Sequence, residues 1–369
     1  MKHCGLFRVK VLIPAIVVSL MVTASWAQSL TWLGTLGGDE SRAYGVSADG
    51  SVVVGISWDA AGIYRAFRWT AGGGMANLGT LGGDWSWGGA RGVSADGSVV
   101  VGSADNAAGD DRAFRWTPGG GMQDLGTLGG DHSRAYAVSP DGSVVVGRAS
   151  RADWLTHAFR WTAAGGMEDL GTLPGSVWSE AFAVSADGLV VVGQDRNAAG
   201  QYRAFRWTAG GGMQDLGTLG GDGSWSWASA VSADGSVVAG TAFDAAGQTR
   251  AFRWTAAGGM ENLGYLGWYY SDAYAVSADG SIVVGISDGS AFRWTAAGGM
   301  EDLNITYADL LSGSSWLTQA LAISPDGRYI VGFGWNDLTD RDEAFLLDTV
   351  PEPASLALLG LGTLLLRRR

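Results

Sequence analysis

The chain has almost no cysteine, lysine or histidine, and each scarcity closes off a class of protein. Its one cysteine, Cys4, precedes the first long apolar run. It therefore stands on the wrong side of that run for a lipoprotein cysteine. The body that follows has no disulfide, so its stability must come from a packed core. The only lysines are Lys2 and Lys10. The formal charge is −12; setting aside Lys2, Arg8, Lys10, Glu352 and the three terminal arginines removes a net +5 and leaves −17 for the body. A lysine-free body of that charge lacks the clustered cations that release counterions from a phosphate backbone, which excludes nucleic acid as a partner. Of the three histidines only His132 and His157 lie in the body, and no His-x-x-x-His string occurs.

The two ends are apolar and short. Lys2, Arg8 and Lys10 flank a run over 11–22 broken only by Pro14 and Ser19, and Ser25-Trp26-Ala27 places small residues at −3 and −1 of a cut before Gln28. That three-part pattern predicts a secretory signal peptide over 1–27. At the other end Val350-Pro351-Glu352-Pro353 precedes the uncharged stretch 354–366 and then Arg367-Arg368-Arg369. As a helix that stretch reaches about 20 Å, short of a hydrocarbon core of about 30 Å, and the arginines favour a cytoplasmic end. The tail, 350–369 with its short transmembrane helix, resembles the PEP-CTERM sorting signal, with Pro351, Glu352 and Pro353 carrying the motif. The resemblance implies an exosortase-type sorting enzyme as a partner. It also implies an exported protein of the cell envelope, surface or extracellular matrix of a Gram-negative-type bacterium, touching the membrane only through this tail.

Between the ends the chain repeats itself. The string Val-Ser-Ala-Asp-Gly-Ser-Val-Val-Val-Gly recurs with its Asp at 49, 96, 141, 187, 234, 279 and 326, that is, every 45 to 47 residues. Ala-Phe-Arg-Trp-Thr starts at Ala66, Ala113, Ala158, Ala204, Ala251 and Ala291, with a degenerate Ala344-Phe345-Leu346-Leu347; Gly-Met-x-(Asp/Asn)-Leu has its Met at 75, 122, 167, 213, 260 and 300. In the third unit these predict strands over 135–139, 143–147, 158–162 and 167–170, separated by Pro140-Asp141-Gly142, a variable loop and Gly165-Gly166. The unbroken valines imply burial on both faces, and the alternation puts Phe159 and Trp161 on one face and Arg160 on the other. No part of the body has helical periodicity with caps.

Four strands per unit is the spacing of a propeller blade. Six Met-x-x-Leu strands leave the last unit without a fourth, and the surplus copy stands at the front, where Thr31-Trp32-Leu33-Gly34 precedes the first unit. The expectation is an all-β, seven-bladed β-propeller over 28–349, four strands per blade, with an N-terminal strand closing the last blade and removing two sheet edges. The Ser-(Ala/Pro)-Asp-Gly turn and the Trp ending the third strand resemble the WD-repeat family in architecture, without its Gly-His and Trp-Asp dipeptides. His157-Ala158-Phe159, four Arg-Ala-Phe, one Ser-Ala-Phe and the Leu-Gly-Thr-Leu-Gly-Gly strings resemble the HAF extracellular repeat family more closely. That likeness implies export and a repeat fold, with no particular activity.

Chemistry is sparse. A residue present in every unit meets the same surroundings each time, so the Asp-Gly pairs read as turn formers. The arginines at 68, 115, 160, 206, 253 and 293 read as strand-surface residues or donors between units. No Asp-x-Asp-x-Asp spacing, P-loop or dinucleotide fingerprint occurs, and we expect no catalytic residue, metal or cofactor. Variation between units is more telling. Of eighteen tryptophans, ten fall in the connections between the second and third strands or between units. Trp85, Trp87, Trp178, Trp225, Trp227, Trp268 and Trp316, with Tyr269 and Tyr270, form a candidate binding face; Trp58, Trp154 and Trp335 fall in the same connections. Such rings either stack on sugars and anchor partners or wedge between blades. The leading reading is a non-enzymatic scaffold for extracellular polysaccharide or a surface protein. The alternatives are a structural coat or spacer and an extracellular propeller hydrolase with loop carboxylates such as Asp110-Asp111.

Overall fold

The computed structural model describes residues 28–86, 88–221 and 223–350. The expected signal peptide and the tail beyond Val350, including Pro351, Glu352 and Pro353, lie outside them. The third unit illustrates the plan: Gly129–Val138, Val144–Arg151, Thr156–Thr162 and Gly166–Asp169 pair in order as an antiparallel meander, with Val145 opposite Trp161 and Trp161 opposite Met167. The units that begin at Gly89, Ser176, Ser226 and Ser271 build the same four-stranded sheet. The unit that begins at Gly37 does so as well, and a single parallel bridge, Glu40 to Asp342, joins it to the last strands. Those last strands, Trp316–Ile323, Tyr329–Asn336 and Arg341–Asp348, lack a fourth from their own stretch. Ser29–Trp32 supplies one, antiparallel to Arg341–Asp348, with Ser29 opposite Asp348 and Trp32 opposite Phe345.

The core lies between neighbouring sheets. Phe67, Phe114, Phe159, Phe205, Phe252, Phe292 and Phe345 are each fully buried, and each contributes about 2 to 3 kcal/mol by leaving water. Val145, Phe159 and Trp161 of the third unit pack with Val99, Val101 and Leu125 of the second. Val53, Phe67 and Trp69 of the first pack with Val331 and Ala344 of the last and with Leu33. The inner, first strands touch in sequence from unit to unit, and Trp316–Ile323 lies against Gly37–Val46.

Every first strand carries a bulge, between Ala43 and Gly45, Ala90 and Gly92, Ala135 and Ala137, Ala181 and Ala183, Ala228 and Ala230, Ala273 and Ala275, and Ala320 and Ala322. The glycine that ends each Val-Val-Val-Gly faces it. A Cβ on Gly147 would fall well inside van der Waals contact with the Arg134 carbonyl oxygen, and the other units repeat this. Glycine is needed there for close approach of two backbones.

The units are also stitched by polar groups. Turn amides donate across units, Ala48 to Ala95, Ala95 to Pro140, Ala186 to Ala233, Ala233 to Ala278 and Ala278 to Pro325, each at 2.9 Å. Proline has no N–H, so the series stops at Pro140 and Pro325. Three of the six strand arginines act as donors between units: Arg160 Nε reaches the Gly188 carbonyl at 3.0 Å, and Arg206 and Arg253 reach Gly235 and Gly280 at 3.2 Å. Arg293 instead pairs with Glu301 and the Tyr307 hydroxyl. One turn of helix, Leu303–Thr306, follows where Asn304 replaces the Leu-Gly glycine of the other units. Asp302 caps it, and Asn304 bonds both backbone groups of Leu317. A single turn is too short to show helical periodicity.

The Asp-Gly pairs are turn formers. In each, the Asp Oδ1 accepts from the Ser hydroxyl two residues before and the N–H two residues after, as at Asp96 with Ser94 (2.6 Å) and Ser98 (3.0 Å). These donors hold Asp96 and Asp234 down at about 2, and Asp49, Asp141, Asp187 and Asp279 also lie below the ordinary carboxyl value. A depressed folded-state value stabilises fully above the unfolded value, near pH 4, and that contribution disappears as pH falls through about 2. The thermal midpoint, followed by near-ultraviolet circular dichroism, is therefore expected to pass through a downward transition between about pH 4 and pH 2. In the D96N/D234N variant that transition should be shallower.

Candidate functional site

The two connections of a unit lie side by side. Arg65 Nη1 reaches the Asp84 carbonyl, Arg112 that of Asp131, Gln201 that of Gly223 and Arg250 that of Tyr269, each bond joining a third-strand entry to the link into the next unit. The variable aromatic residues gather near here. Trp58, Trp178, Trp227, Trp316 and Trp335, however, stand at the ends of strands and not in the connections as expected, because the pairing runs further than the repeated strings. The structure separates the rings into two kinds. Trp178, Tyr202, Trp225, Phe243 and Trp227 form a run of edge-to-face rings, with centroids 5.5 to 6.3 Å apart, across the fourth and fifth units. Trp58 meets Tyr64 in the same way at 5.2 Å. Trp85, Tyr270 and Trp335 are half-buried, and Trp87 lies outside the described residues. The Trp316 ring N–H donates to the Gly289 carbonyl at 3.0 Å and so ties two units together.

Trp268 and Tyr269 differ, being 81% and 70% exposed. Their loop is clamped by one carboxylate. Asp288 accepts the backbone N–H groups of Gly267, Trp268, Tyr269 and Tyr270 at 2.9 to 3.2 Å. Burial pushes the Asp288 carboxyl up, but the four N–H groups together outweigh it and hold it below its ordinary value. Arg250 lies over the exposed Tyr265 ring at 4.4 Å while bonding the Tyr269 carbonyl. Two large rings are thus held in water on a fixed backbone.

The bulged positions form a second variable set: Tyr44, Arg91, Tyr136, Phe182, Ser229, Tyr274 and Leu321. A bulge re-aims its side chain, and two neighbouring pairs of these side chains meet, Arg91 over Tyr44 at 4.1 Å and Tyr136 against Phe182 at 5.4 Å. Sequence reasoning passed over them; variation inside an otherwise constant strand was the available signal.

His157 is buried and paired with Asp169 at 2.8 Å, as Arg112 pairs with Asp124 one unit earlier. His132 belongs to the same unit, not to a different blade as the spacing suggested; it is exposed on the first strand, two strands from His157, and its backbone bonds Ser150. Asp111 pairs with Arg134, and Asp110 accepts from Asn106. Gly285-Ile286-Ser287-Asp288-Gly289 has the spacing of a serine-hydrolase elbow. Ser287, however, is fully buried at a strand end, where it accepts from the Leu266 N–H and donates to the Tyr270 carbonyl, both at 2.9 Å. Among the described residues no group of three or more His, Cys, Asp or Glu is placed to hold a metal ion. Among them, too, no helix is long and apolar enough to cross a membrane.

The arrangement of four-stranded sheets is that of a β-propeller. The chain is similar to the β-propeller domain of the trilobed protease from Pyrococcus furiosus, whose velcro topology is open (TM-score 0.53, 11% identity, 88% of this chain and 97% of that one). It is also similar to puromycin hydrolase (TM-score 0.52, 15% identity, 87% of this chain and 56% of that one). TolB from Acinetobacter baumannii aligns at a TM-score of 0.46 and 15% identity, over 60% of this chain and 53% of its own. The chain thus spans about half the length of that TolB chain and of puromycin hydrolase, and the likeness to the trilobed-protease domain and puromycin hydrolase shows the fold alone. No curated protein matches its sequence. Residues 349–369 match the PEP-CTERM protein-sorting motif. That motif marks an exported bacterial protein, sorted to the cell surface by an exosortase.

Proposed function

We propose that this is a non-enzymatic surface scaffold: a seven-bladed propeller of HAF-type repeats over 28–349, between a signal peptide over 1–27 and the sorting tail over 350–369. The N-terminal strand closes its ring, a short transmembrane helix in the tail meets the membrane, and the setting is the envelope of a Gram-negative-type bacterium. Its ligand is an extracellular polysaccharide, met by the aromatic loops. The observation that carries this reading is the loop at Trp268 and Tyr269. Holding two exposed rings with four N–H bonds to one carboxylate does nothing for the core, but it fixes a stacking surface before a ligand arrives, which lowers the ordering cost of binding. Nothing is drawn from the activity of puromycin hydrolase, because the likeness is one of fold.

The test is retention of the full-length protein on immobilised dextran, alginate and chitosan. Each stacking contact is worth about 1 kcal/mol, so the W268A/Y269A double variant should lose at least about tenfold in affinity. Exposed rings contribute little to the fold, and its melting temperature should match the wild type. A double variant that binds as the wild type does would remove the loop from the site. Wild-type protein retained on none of the three would sink the polysaccharide reading in favour of a protein ligand or a spacer.

A further inference from the structure

The turn between second and third strands has one design in four units. Asp59, Asn106, Asn197 and Asp244 each open it with a side-chain oxygen that accepts N–H groups two and four residues on. Gly62, Gly109, Gly200 and Gly247 take its left-handed position, at φ between 73 and 85°. In the third unit that position is held by Trp154, at φ 66° and 74% exposed. A side chain with a Cβ is disfavoured in this region of backbone space, and a tryptophan in water gains nothing from burial. The four sibling turns serve as an internal control: the fold needs only glycine here, so folding does not account for the tryptophan.

Its surroundings do. Trp154 stands at a cavity of about 370 Å³ whose other walls include Asp111, His132, Arg134, Arg148 and Thr156. The polar groups are fixed in place. Arg134 is paired with Asp111 and Arg148 with the buried Glu180. The His132 backbone is pinned to Ser150 through bonds of 2.8 and 3.0 Å. The shelf itself is braced by Arg151, which pairs with Asp153 at 3.2 Å and Asp169 at 3.1 Å. Both guanidinium groups are neutralised by their carboxylates, and the body as a whole is strongly acidic. The cavity therefore offers an apolar ring beside dense donors and acceptors, with no uncompensated positive charge to attract an anion.

We propose that Trp154 and this cavity form a subsite for one neutral pyranose of an extracellular polysaccharide. The C–H face of the sugar stacks on the indole, and its hydroxyls exchange hydrogen bonds with the paired Asp111 and Arg134, with Arg148 and with His132. The inference rests on the polysaccharide reading above and assigns it a second, more selective place. Uronate sugars are disfavoured by the same charge balance.

The test uses the full-length protein on immobilised dextran and galactomannan, both neutral, against alginate, a uronate polymer. The wild type should be retained on at least one neutral polymer more tightly than on alginate. W154G restores the sibling turn, so it should melt at or above the wild-type temperature while losing about tenfold in affinity; W154F, which keeps a ring, should stay within about threefold. W154G binding like the wild type, W154G melting lower, or a wild-type preference for alginate would each overturn the subsite. If W154G binds normally while W268A/Y269A does not, the subsite falls and the scaffold reading stands. If the wild type is retained on none of the polymers, both fall.

Discussion

Deleting residues 30–34 is expected to destabilise the whole body by about 5 kcal/mol, although the segment lies more than 300 positions in sequence from its partner strand. Leu33 is 6% exposed and packs with Val331 and Ala344, and its N–H donates to the Ala344 carbonyl at 2.9 Å. Trp32 meets the fully buried Phe345 edge-on at 6.2 Å. Losing the leucine costs about 2 kcal/mol and the half-buried tryptophan with its ring contact a similar amount; the unpaired edge of Arg341–Asp348 adds the rest. If the ring is closed as proposed, that loss is shared by all the sheets, and a single cooperative melt should move down as a whole. An array open at its ends would lose only its terminal sheet, visible as an early partial transition. Thermal melts of the two proteins distinguish these outcomes, and an unchanged melt would rule out closure by this strand.

The second large effect comes from adding one methyl group. Gly147→Ala drives a Cβ into the Arg134 carbonyl oxygen on the neighbouring strand, and backbone on both sides leaves no soft atom to yield. Overpacking of this kind costs about 3 kcal/mol or more. Gly119→Ala is the control, since a Cβ there meets nothing within 4 Å and its φ is not in the left-handed region. It should be neutral, or gain a few tenths of a kcal/mol from a stiffer unfolded chain. The bulge explains the difference, and equal melting temperatures for the two variants would contradict it.

How far the sequence could be read depended on whether a feature repeats. The four strands, the Asp-Gly turns and the surplus strand near Trp32 were legible because each unit restates the same local chemistry. Even the arginine of Ala-Phe-Arg-Trp was narrowed to two roles, and Arg160, Arg206 and Arg253 take the one that joins units. The bulges were not legible: Ala135-Tyr136-Ala137 alternates like any strand, and the extra residue becomes visible only against Gly147 in the pairing. The loop tryptophans were alike on paper. What separates Trp268 from Trp225 is an Asp288 clamp from about twenty residues on and a run of rings across two units. Trp154 was set aside among the loop rings, although comparison with Gly62, Gly109, Gly200 and Gly247 would have singled it out.

The strand Arg341–Asp348 lies between Tyr329–Asn336 and Ser29–Trp32, antiparallel to both. Just beyond it Thr349 donates to the Arg328 carbonyl at 2.8 Å and accepts from Gln28 at 3.2 Å. If the sorting tail proposed above holds the protein, this strand takes the load. Tension along the chain pulls that strand lengthwise between two neighbours, so the ladder bonds on both sides are loaded in shear and must give way together. Had the chain left from an edge strand, the same pull would peel bonds one at a time. A load arriving through the tail would thus be met by two rows of hydrogen bonds acting at once.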